Sequence, residues 1–538
     1  MEERGKYLLI ILVIGALLFL FKIGERDLWE PDETRYAVVA REMRETGDWV
    51  VPHLRGTIYA EKPPLFFWLV NLSTFFLGKN SEVANRLPSA LAGLMTILMT
   101  FLFGSRLFNA KAGFLSGLIL ATCFFFPQIS RWMMLDSLFT LLFLLATYFL
   151  YRGMNEKARQ RIFFILSGIF MACATLTKGP IGYLPIILFL IYSLICKEFQ
   201  KVWNRNLLYG SLLSIGLVLA WLLSAIGITS QHYGIQDVWH QTIGRFAEGW
   251  KHRQAFYFYF IRFPFGFLPW IIFLPWAVAH GIQGISTEKR KEFLLLFIWF
   301  AFIFLFFTLS KGKKDNYLLP LYPAAALLVG QWIGSFFEPG EEPGKTIGTL
   351  RIPMGLVTLL FLTVWLIILL RPLKWFPQEI EAYLPIAVWP LFSTALGGIL
   401  SLIFLLRRWN RLSVFCLITT LIIPQAYVSM AIPPRFNELR SMKPFSRQIL
   451  IRMGPEDELK IWKFQSTGIL YYTGKQVEQI KTVDRLLQVF RTPDRIFMVV
   501  EEEDFKRLKG QVDVPFHLIE RAKVGHRSLF LVSNHPLQ

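Results

Sequence analysis

A motif rich in charged side chains, WEPDETRY at residues 29–36, follows the first apolar segment of the chain. It contains the adjacent carboxylates Asp32 and Glu33, with Arg35 shortly after them. Such a group could hold a catalytic base in place while the guanidinium binds an anion. A structural role explains the same residues, because Pro31 and two acids suit the first turn of a helix. The two interpretations are compatible, since a helix N-terminus can also orient a catalytic carboxylate.

Three further ionisable residues lie where apolar segments begin or end. Lys62, next to Glu61, is followed by two prolines, and Lys178 lies in the tight turn TKGP. A rigid backbone limits the conformational freedom that a lysine loses when it binds a phosphate. The structural alternatives are snorkelling at the membrane interface for Lys62 and a simple chain reversal for the turn at Lys178. Asp136 opens an apolar segment, where an ionisable group is costly unless it is paired, although it could also cap the helix. The cost favours a functional Asp136.

Two loops carry the remaining candidates. The loop SKGKKDNY contains Lys311 and Lys313 and ends at Tyr317. A second long loop contains His252, which could bind a metal with a distant carboxylate, contact a polar headgroup or lie on the surface. A single histidine without partners nearby in sequence is a weak indication of a metal site.

The composition indicates that lipid is the main solvent. The 538 residues are 54% hydrophobic and 18% charged, with 51 Phe, 17 Trp and a mean hydropathy of +0.44. These values exclude disorder and most soluble classes. A net charge of +19 would suggest nucleic acid in a soluble protein, but a polytopic membrane protein collects basic residues in cytoplasmic loops. We therefore expect no nucleic-acid partner.

Thirteen apolar segments have about the length that spans a bilayer. They lie at about 6–21, 86–107, 112–128, 135–151, 162–177, 180–196, 207–227, 264–282, 293–309, 317–336, 352–371, 386–406 and 413–432. The positive-inside rule places the basic loops in the cytoplasm if the marginal segment 64–77 lies on the outer surface as an amphipathic helix. The lysines named above are then exported against this bias, and phosphate or an acidic lipid is their natural partner.

The same pattern predicts two domains. Residues 1–432 form a transmembrane domain with exported loops 22–85 and 228–263, and residues 433–538 form a soluble α/β domain on the exported side. Its predicted strands and helices are strands 459–464, 495–500, 517–522 and 528–532 and helices 483–490 and 503–508.

Six motifs in consistent order resemble the integral-membrane GT-C glycosyltransferases that use polyprenyl-phosphate sugars. They are WEPDETRY, EKPPL at 61–65, RLPSA at 86–90, LDS at 135–137, TKGP at 177–180 and YLLP at 317–320. The chain most resembles the bacterial 4-amino-4-deoxy-L-arabinose lipid A transferases and, more distantly, protein O-mannosyltransferases. The resemblance implies a GT-C fold of about thirteen transmembrane helices with a C-terminal periplasmic α/β domain in a bacterial inner membrane.

The resemblance also implies roles for single residues. Asp32 corresponds to an essential acid of the first loop and Asp136 to a second required acid. Arg35, Lys62 and Tyr317 match the group around the carrier phosphate.

A metal site is implied less directly. Glu61 and His252 match positions that hold a divalent metal such as Zn or Mg in a relative, whereas catalysis in this branch is not thought to depend on metal. We therefore expect that no cofactor is required.

Two classes of function follow. The first is an inverting transferase that moves 4-amino-4-deoxy-L-arabinose or a related sugar from undecaprenyl phosphate to lipid A or another envelope acceptor, with a protein hydroxyl as the alternative. The exported cations would stabilise the leaving phosphate while a carboxylate takes a proton or orients the acceptor. The second is a lipid-carrier binding protein or transporter, which predicts charge at the membrane centre that the segments largely lack. We expect a monomer.

Overall fold

The computed structural model describes residues 2–79, 81–229, 253–285, 288–337, 343–370 and 384–536. The chain divides into two compact units. The first, here called the helical unit, contains Met1–Ile23, Ala60–Leu69 and Arg86–Ala431. The second, here called the α/β unit, contains Gly24–Tyr59, Val70–Asn85 and Ile432–Gln538.

Helices account for most of the chain before the C-terminal sheet. The α-helices are Glu2–Gly15, Asp32–Thr46, Leu65–Leu77, Glu82–Leu107, Ala110–Thr122, Phe125–Ser130, Leu135–Asn155, Gln160–Lys178, Leu184–Ile195, Phe199–Val202, Arg205–Thr229, Phe258–Gly266, Leu274–Gly284, Arg290–Leu309, Tyr322–Ser335, Pro343–Leu370, Leu384–Leu406, Asn410–Arg440 and Lys443–Arg452. Within the described ranges, nine helical segments are long and apolar enough to cross a membrane. The predicted membrane-embedded helical architecture is confirmed, and the count of thirteen spans stays a prediction.

Two predicted single spans differ from the structure because each contains an interruption. The segment 112–128 is divided into Ala110–Thr122, capped by Asn109, and the short helix Phe125–Ser130. The segment 264–282 is divided among Phe258–Gly266, a 3-10 turn and Leu274–Gly284. Prolines interrupt this second region, since proline lacks the N–H that continues a helical ladder.

An antiparallel helix pair positions the two most buried ionisable candidates. Leu135–Asn155 begins one residue before Asp136, and the next long helix, Gln160–Lys178, ends at Lys178. The two helices run side by side, and the Ser167 hydroxyl donates to the Ala146 carbonyl at 3.1 Å. Because consecutive antiparallel helices bring the start of one beside the end of the other, Asp136 and Lys178 meet.

Small residues allow the next helix to approach equally closely. An added Cβ at Gly168 would lie 2.1 Å from the Gly210 carbonyl oxygen. Such backbone contacts are typical of helix packing in lipid, where dispersion rather than the hydrophobic effect holds helices together. Gly168 therefore helps to fix the helix that carries Lys178.

A five-stranded mixed sheet forms the core of the α/β unit. Its strands are β3 (Glu458–Trp462), β4 (Glu478–Ile480), β5 (Ile496–Glu501), β6 (His517–Val524) and β7 (Arg527–Ser533), and β1 (His53–Leu54) and β2 (Thr57–Ile58) form a separate hairpin. The order is β4-β3-β5-β7-β6, with β3 parallel to β4 and β5 and with β7 antiparallel to its neighbours. Both faces of β5 are buried, as its continuous apolar run indicates.

The four predicted C-terminal strands and two predicted helices occur within one to three residues of their expected ends. The helices are Val483–Phe490 and Glu502–Gln511. Strand β4 and the helix Thr467–Thr473 were not predicted. The helix has a sequence signature, because Ser466 caps its start and Gly474, at φ 68°, ends it.

Most of the predicted first exported loop belongs to the α/β unit. Its residues Gly24–Tyr59 and Val70–Asn85 belong to the α/β unit, whereas the predicted division assigned 22–85 to the membrane domain. Arg41 donates to the carbonyls of Leu470 and Tyr471 at 3.1 Å each. Each of these bonds joins residues that are more than 400 positions apart in the sequence, so no local pattern could predict it.

Asp457 gives the α/β unit a pH dependence. Burial alone would raise the pKa of Asp457, but hydrogen bonds from Arg495 at 2.6–3.0 Å and from the Gly454 N–H outweigh it and lower the pKa. A depressed carboxyl pKa stabilises the fold above the unfolded value of about 4 and loses this contribution as pH falls through the folded value.

We expect Asp457→Asn to destabilise the α/β unit by about 2 kcal/mol at pH 7, because the charged hydrogen bonds are lost. The difference from wild type should shrink as the pH falls below about 4, where Asp457 takes up a proton in the unfolded chain, and should vanish once the pH is below the lowered pKa of the folded state. The measurement is the urea concentration at which half of the protein is cleaved within residues 458–533, with trypsin at pH 7 and with pepsin at pH 3. Asp494→Asn, at an exposed position, is the matched control, and an equal pH-dependent loss in that variant would contradict the assignment.

Candidate active site

A buried ion pair between Asp136 and Lys178 forms the centre of the candidate site in the helical unit. Lys178 Nζ donates to Asp136 Oδ1, and the two side chains are 5% and 3% exposed. The second carboxylate oxygen, Oδ2, accepts from Asn316 Nδ2 at 2.7 Å. Both oxygens of Asp136 therefore have donors, and the carboxylate fixes the position of the lysine in a buried, low-dielectric setting.

Aromatic rings enclose the lysine. Lys178 Nζ lies 4.8 Å from the ring centre of Tyr317 and 5.1 Å from that of Phe139. Tyr317 in turn packs against Phe307, with ring centres 5.7 Å apart. Cation–π attraction adds to the ion pair, particularly where water is excluded. The structure thus brings together three predicted site residues, Asp136, Lys178 and Tyr317.

Hydrogen bonds from another helix fix the loop that carries Asn316 and Tyr317. The Tyr259 hydroxyl donates to the Lys314 carbonyl at 3.0 Å. Arg262 donates two hydrogen bonds to Asp315, at 2.8 and 2.7 Å. The helix Phe258–Gly266 therefore fixes this loop, and the sequence did not identify either of these two residues.

The two predicted lysines of the same loop have different environments. Lys313 is buried, donates to the Ser310 carbonyl and has its pKa lowered by burial. Lys311 is exposed, and its carbonyl accepts from the Gln254 N–H at 3.3 Å. Lys313 thus stabilises the loop from inside, whereas the Lys311 ammonium faces outward.

Glu61 and Lys62 lie in the turn before the helix Leu65–Leu77 and are half-buried. This placement agrees with a rigid turn before an amphipathic helix. The surface position of that helix and the phosphate contact of Lys62 remain predictions.

The motif around Asp32 belongs to the α/β unit. Asp32 is the first residue of the helix Asp32–Thr46, as the capping interpretation predicted, and its Oδ1 accepts from Arg35. Both side chains are about one-fifth exposed, at 20% and 23%. Asp32 is therefore paired with an arginine at a helix N-terminus, where the helix dipole favours a negatively charged side chain. Asp32 therefore starts a helix, as the structural interpretation predicted, and its catalytic role stays a prediction.

Glu33 has a different environment from its neighbour. It is 1% exposed and pairs with Arg26 at 2.7 Å, while its carboxylate also accepts from the Trp29 N–H at 3.1 Å. Arg26 lies over the Trp29 ring at 4.4 Å. These contacts give Glu33 a structural role in shaping the segment before Asp32, and its predicted catalytic role stays a prediction.

Glu30 is a further residue that the sequence did not single out. Its Oε1 accepts from the Ser466 hydroxyl at 2.7 Å and from the Gly468 N–H at 2.6 Å. The carboxylate caps the helix that starts at Thr467 and holds the Asp32 motif on the C-terminal segment. The local signal was present, since Ser466 is itself a capping residue, but its acidic partner is remote in sequence.

The predicted metal pair is only partly described. Glu61 lies in the turn noted above, and His252 lies outside the described residues. The part of the chain that the structure describes contains no group of three or more His, Cys, Asp or Glu side chains that could hold a metal. The metal site and the absence of a required cofactor both stay predictions.

Comparisons with known proteins identify relatives of this chain and agree with its fold. A family model described as dolichyl-phosphate-mannose-protein mannosyltransferase matches residues 61–223. A protein of Aeromonas salmonicida named undecaprenyl phosphate-alpha-4-amino-4-deoxy-L-arabinose arabinosyl transferase is 30% identical over 438 residues, 78% of each chain. A protein of the same name from Pectobacterium atrosepticum is 34% identical over 334 residues, 60% of this chain and 58% of the relative.

Solved structures extend the fold comparison to nearly the whole chain. The crystal structure of ArnT from Cupriavidus metallidurans bound to undecaprenyl phosphate has a TM-score of 0.82 at 20% identity and covers 98% of both chains. Its apo form gives 0.83. The fold and these relatives together define a multi-pass membrane glycosyltransferase of the GT-C class. The chain belongs to the family of undecaprenyl phosphate-alpha-4-amino-4-deoxy-L-arabinose arabinosyl transferases.

A double-mutant cycle tests the buried pair. We expect Lys178→Met to destabilise the enzyme by about 3–5 kcal/mol, because it leaves the Asp136 charge buried without its cation. Adding Asp136→Asn should restore most of this loss, since both charges are then removed. The thermal unfolding midpoint of the purified protein measures the cycle. Lys157→Met, at an exposed position on the same unit, is the control, and additive losses in the double variant would contradict a coupled pair.

Proposed function

We propose that this enzyme transfers 4-amino-4-deoxy-L-arabinose from undecaprenyl phosphate to a phosphate of lipid A at the periplasmic face of a bacterial inner membrane. The names of the relatives support the sugar and the carrier. The observation that carries the proposal is the buried Lys178 ammonium, fixed by Asp136 and enclosed by Tyr317. The acceptor and the membrane face rest on the resemblance and on the charge pattern of the loops.

The lysine suits a phosphate leaving group. An ammonium has three N–H donors, and Asp136 uses one of them, so others can meet the oxygens of a carrier phosphate. Because Lys178 is held by a buried carboxylate, little rearrangement is needed as negative charge develops. Asp136 is then a positioning residue that acts through Lys178, since both its oxygens already accept hydrogen bonds.

The reaction forms one bond and breaks one bond at the anomeric carbon. An oxygen of the acceptor attacks this carbon, and the bond from the carbon to the carrier phosphate oxygen breaks. The electron pair stays on undecaprenyl phosphate, which leaves, and the configuration inverts. An ionised phosphate acceptor brings no proton, so Asp32 then orients the acceptor or stabilises charge rather than acting as a base.

A protein hydroxyl is the second candidate acceptor. The family model over residues 61–223 is named for a protein mannosyltransferase and supports this alternative. A hydroxyl must lose a proton as it attacks, so Asp32 would then serve as general base. Binding or transport of the carrier without transfer is less well supported, because the family is one of transferases.

Asp32→Asn and Lys178→Gln should each reduce transfer of sugar from labelled undecaprenyl-phosphate sugar in vesicles by at least about 100-fold. The two losses have different causes. Asp32→Asn removes a carboxylate near the acceptor, whereas Lys178→Gln removes a hydrogen-bond donor to the leaving phosphate. Glu45→Gln and Lys157→Gln are matched exposed controls and should keep wild-type activity. Full activity in a folded Asp32→Asn enzyme would remove the role assigned to that residue.

The acceptor is tested by the products of a gene deletion. We expect lipid A from wild-type cells to carry an added mass of one aminopentose per modified phosphate, and lipid A from the deletion strain to lack it. Mass spectrometry of lipid A and of envelope proteins from the same cells measures both candidates. A sugar lost from proteins, with lipid A unchanged, would overturn the lipid A proposal in favour of the protein acceptor.

A further inference from the structure

A cavity of about 600 Å³ lies in the helical unit away from the candidate active site. It is lined by the helices Glu2–Gly15, Glu82–Leu107 and Leu135–Asn155. The last of these carries Asp136 near its start and the lining residue Arg152 near its end, 16 residues later. At about 1.5 Å per residue, the two are about 24 Å apart along the helix.

Positive charge dominates the lining of this cavity, here called the arginine cavity. Arg4, Arg106 and Arg152 all line it. Glu156 accepts from Arg152 at 2.8 and 2.7 Å and from Arg106 at 2.9 Å. Among the residues that line the cavity, three carry a positive charge and none carries a negative charge, although Glu156 pairs with two of the three. An anionic ligand would balance this positive charge.

A buried hydroxyl provides a second, independent observation. Ser105 lines the cavity and is 8% exposed, and within the described ranges its Oγ has no hydrogen-bond partner. A buried hydroxyl without a partner is costly, so native proteins rarely leave one unmatched. The Oγ atom itself is shielded from the cavity, so a ligand oxygen would meet it only after the Ser105 side chain rotates towards the cavity.

The lining also has an apolar side that continues on to the surface. Leu8 and Leu102 line the cavity and are 40% and 42% exposed. On a helix that spans a membrane, exposed leucines face lipid tails. A ligand in the cavity could therefore place a charged group among the arginines and an acyl chain along these leucines.

Topology alone does not account for this arrangement. The positive-inside rule explains why arginines collect at this end of the helices. It does not explain a cavity of ligand size, a hydroxyl buried without a partner, or the apolar surface leading into it. Basic pockets between transmembrane helices on the cytoplasmic side are suited to lipid headgroups.

We propose that the arginine cavity binds the phosphate headgroup of an anionic phospholipid of the leaflet opposite the sugar-transfer site. The guanidinium groups of Arg4, Arg106 and Arg152 would bind the phosphate oxygens, and the Ser105 hydroxyl would donate to one of them. The acyl chains would lie along Leu8 and Leu102. The site is independent of the sugar and of the acceptor.

Binding of defined lipids to the purified full-length protein tests the proposal. Native mass spectrometry in detergent would measure the dissociation constants of dioleoyl phosphatidylglycerol and dioleoyl phosphatidylcholine. We expect the anionic lipid to bind at least tenfold more tightly. Arg4→Gln should weaken its binding about fivefold, the effect of one basic charge near a membrane surface. Arg4→Gln with Arg106→Gln should weaken it more than tenfold.

Arg205→Gln is the matched control, because Arg205 is an exposed arginine that does not line the cavity. Equal binding of the two lipids, or equal weakening by Arg205→Gln, would overturn the proposal in favour of general charge attraction. Competition by millimolar glycerol 3-phosphate as effective as that by the lipid would assign the cavity to a soluble phosphate ester instead. If Arg106→Gln unfolds the protein, Arg4→Gln alone decides, since Arg4 is exposed.

Discussion

The ion pair of Asp136 and Lys178 is the constraint on which the candidate site depends. Each residue lies at the end of a membrane helix, and the pair forms only because the two helices are consecutive and antiparallel. Burial of either charge without the other would cost free energy, so the pair fixes the two helix ends next to each other. The packing of the helices in turn brings the two charges together. Asn316 and the Tyr317 ring then add a third element to the same point. A lysine placed in this way meets a phosphate without first losing its freedom.

Much of the fold could be predicted from residue patterns, because apolar length and alternation are local properties. The same holds for Asp136, whose position at the start of an apolar helix required a partner. The sequence analysis missed Asn316 and Arg26, because a polar residue beside a motif does not show which carboxylate it will bind. In the structure Asn316 donates to Asp136 and Arg26 pairs with Glu33. The prediction grouped residues 22–85 with the membrane domain for the same reason, since the bonds from Arg41 to Leu470 and Tyr471 join residues more than 400 positions apart.

Basic residues in this chain serve more than one purpose, and only their surroundings distinguish them. Lys313 is buried and bound to a backbone carbonyl, so it serves its own loop. Lys178 is buried against a carboxylate and aromatic rings, which suits a phosphate partner. The arginine cavity combines surplus charge with empty volume and a buried hydroxyl. The net charge of +19 is therefore a sum over unrelated roles.

The hydrogen bonds between the helix that starts at Asp32 and the C-terminal segment have a consequence for biosynthesis. Arg41 is separated by 430 residues from the Tyr471 carbonyl to which it donates. At about 5–20 residues per second, the ribosome needs roughly 20 to 90 seconds to supply that partner. During this interval the segment around Arg41 has emerged without the C-terminal residues to which it bonds. The α/β unit thus completes the enzyme last, and a chain that stops early would carry Asp32 without the segment that supports it.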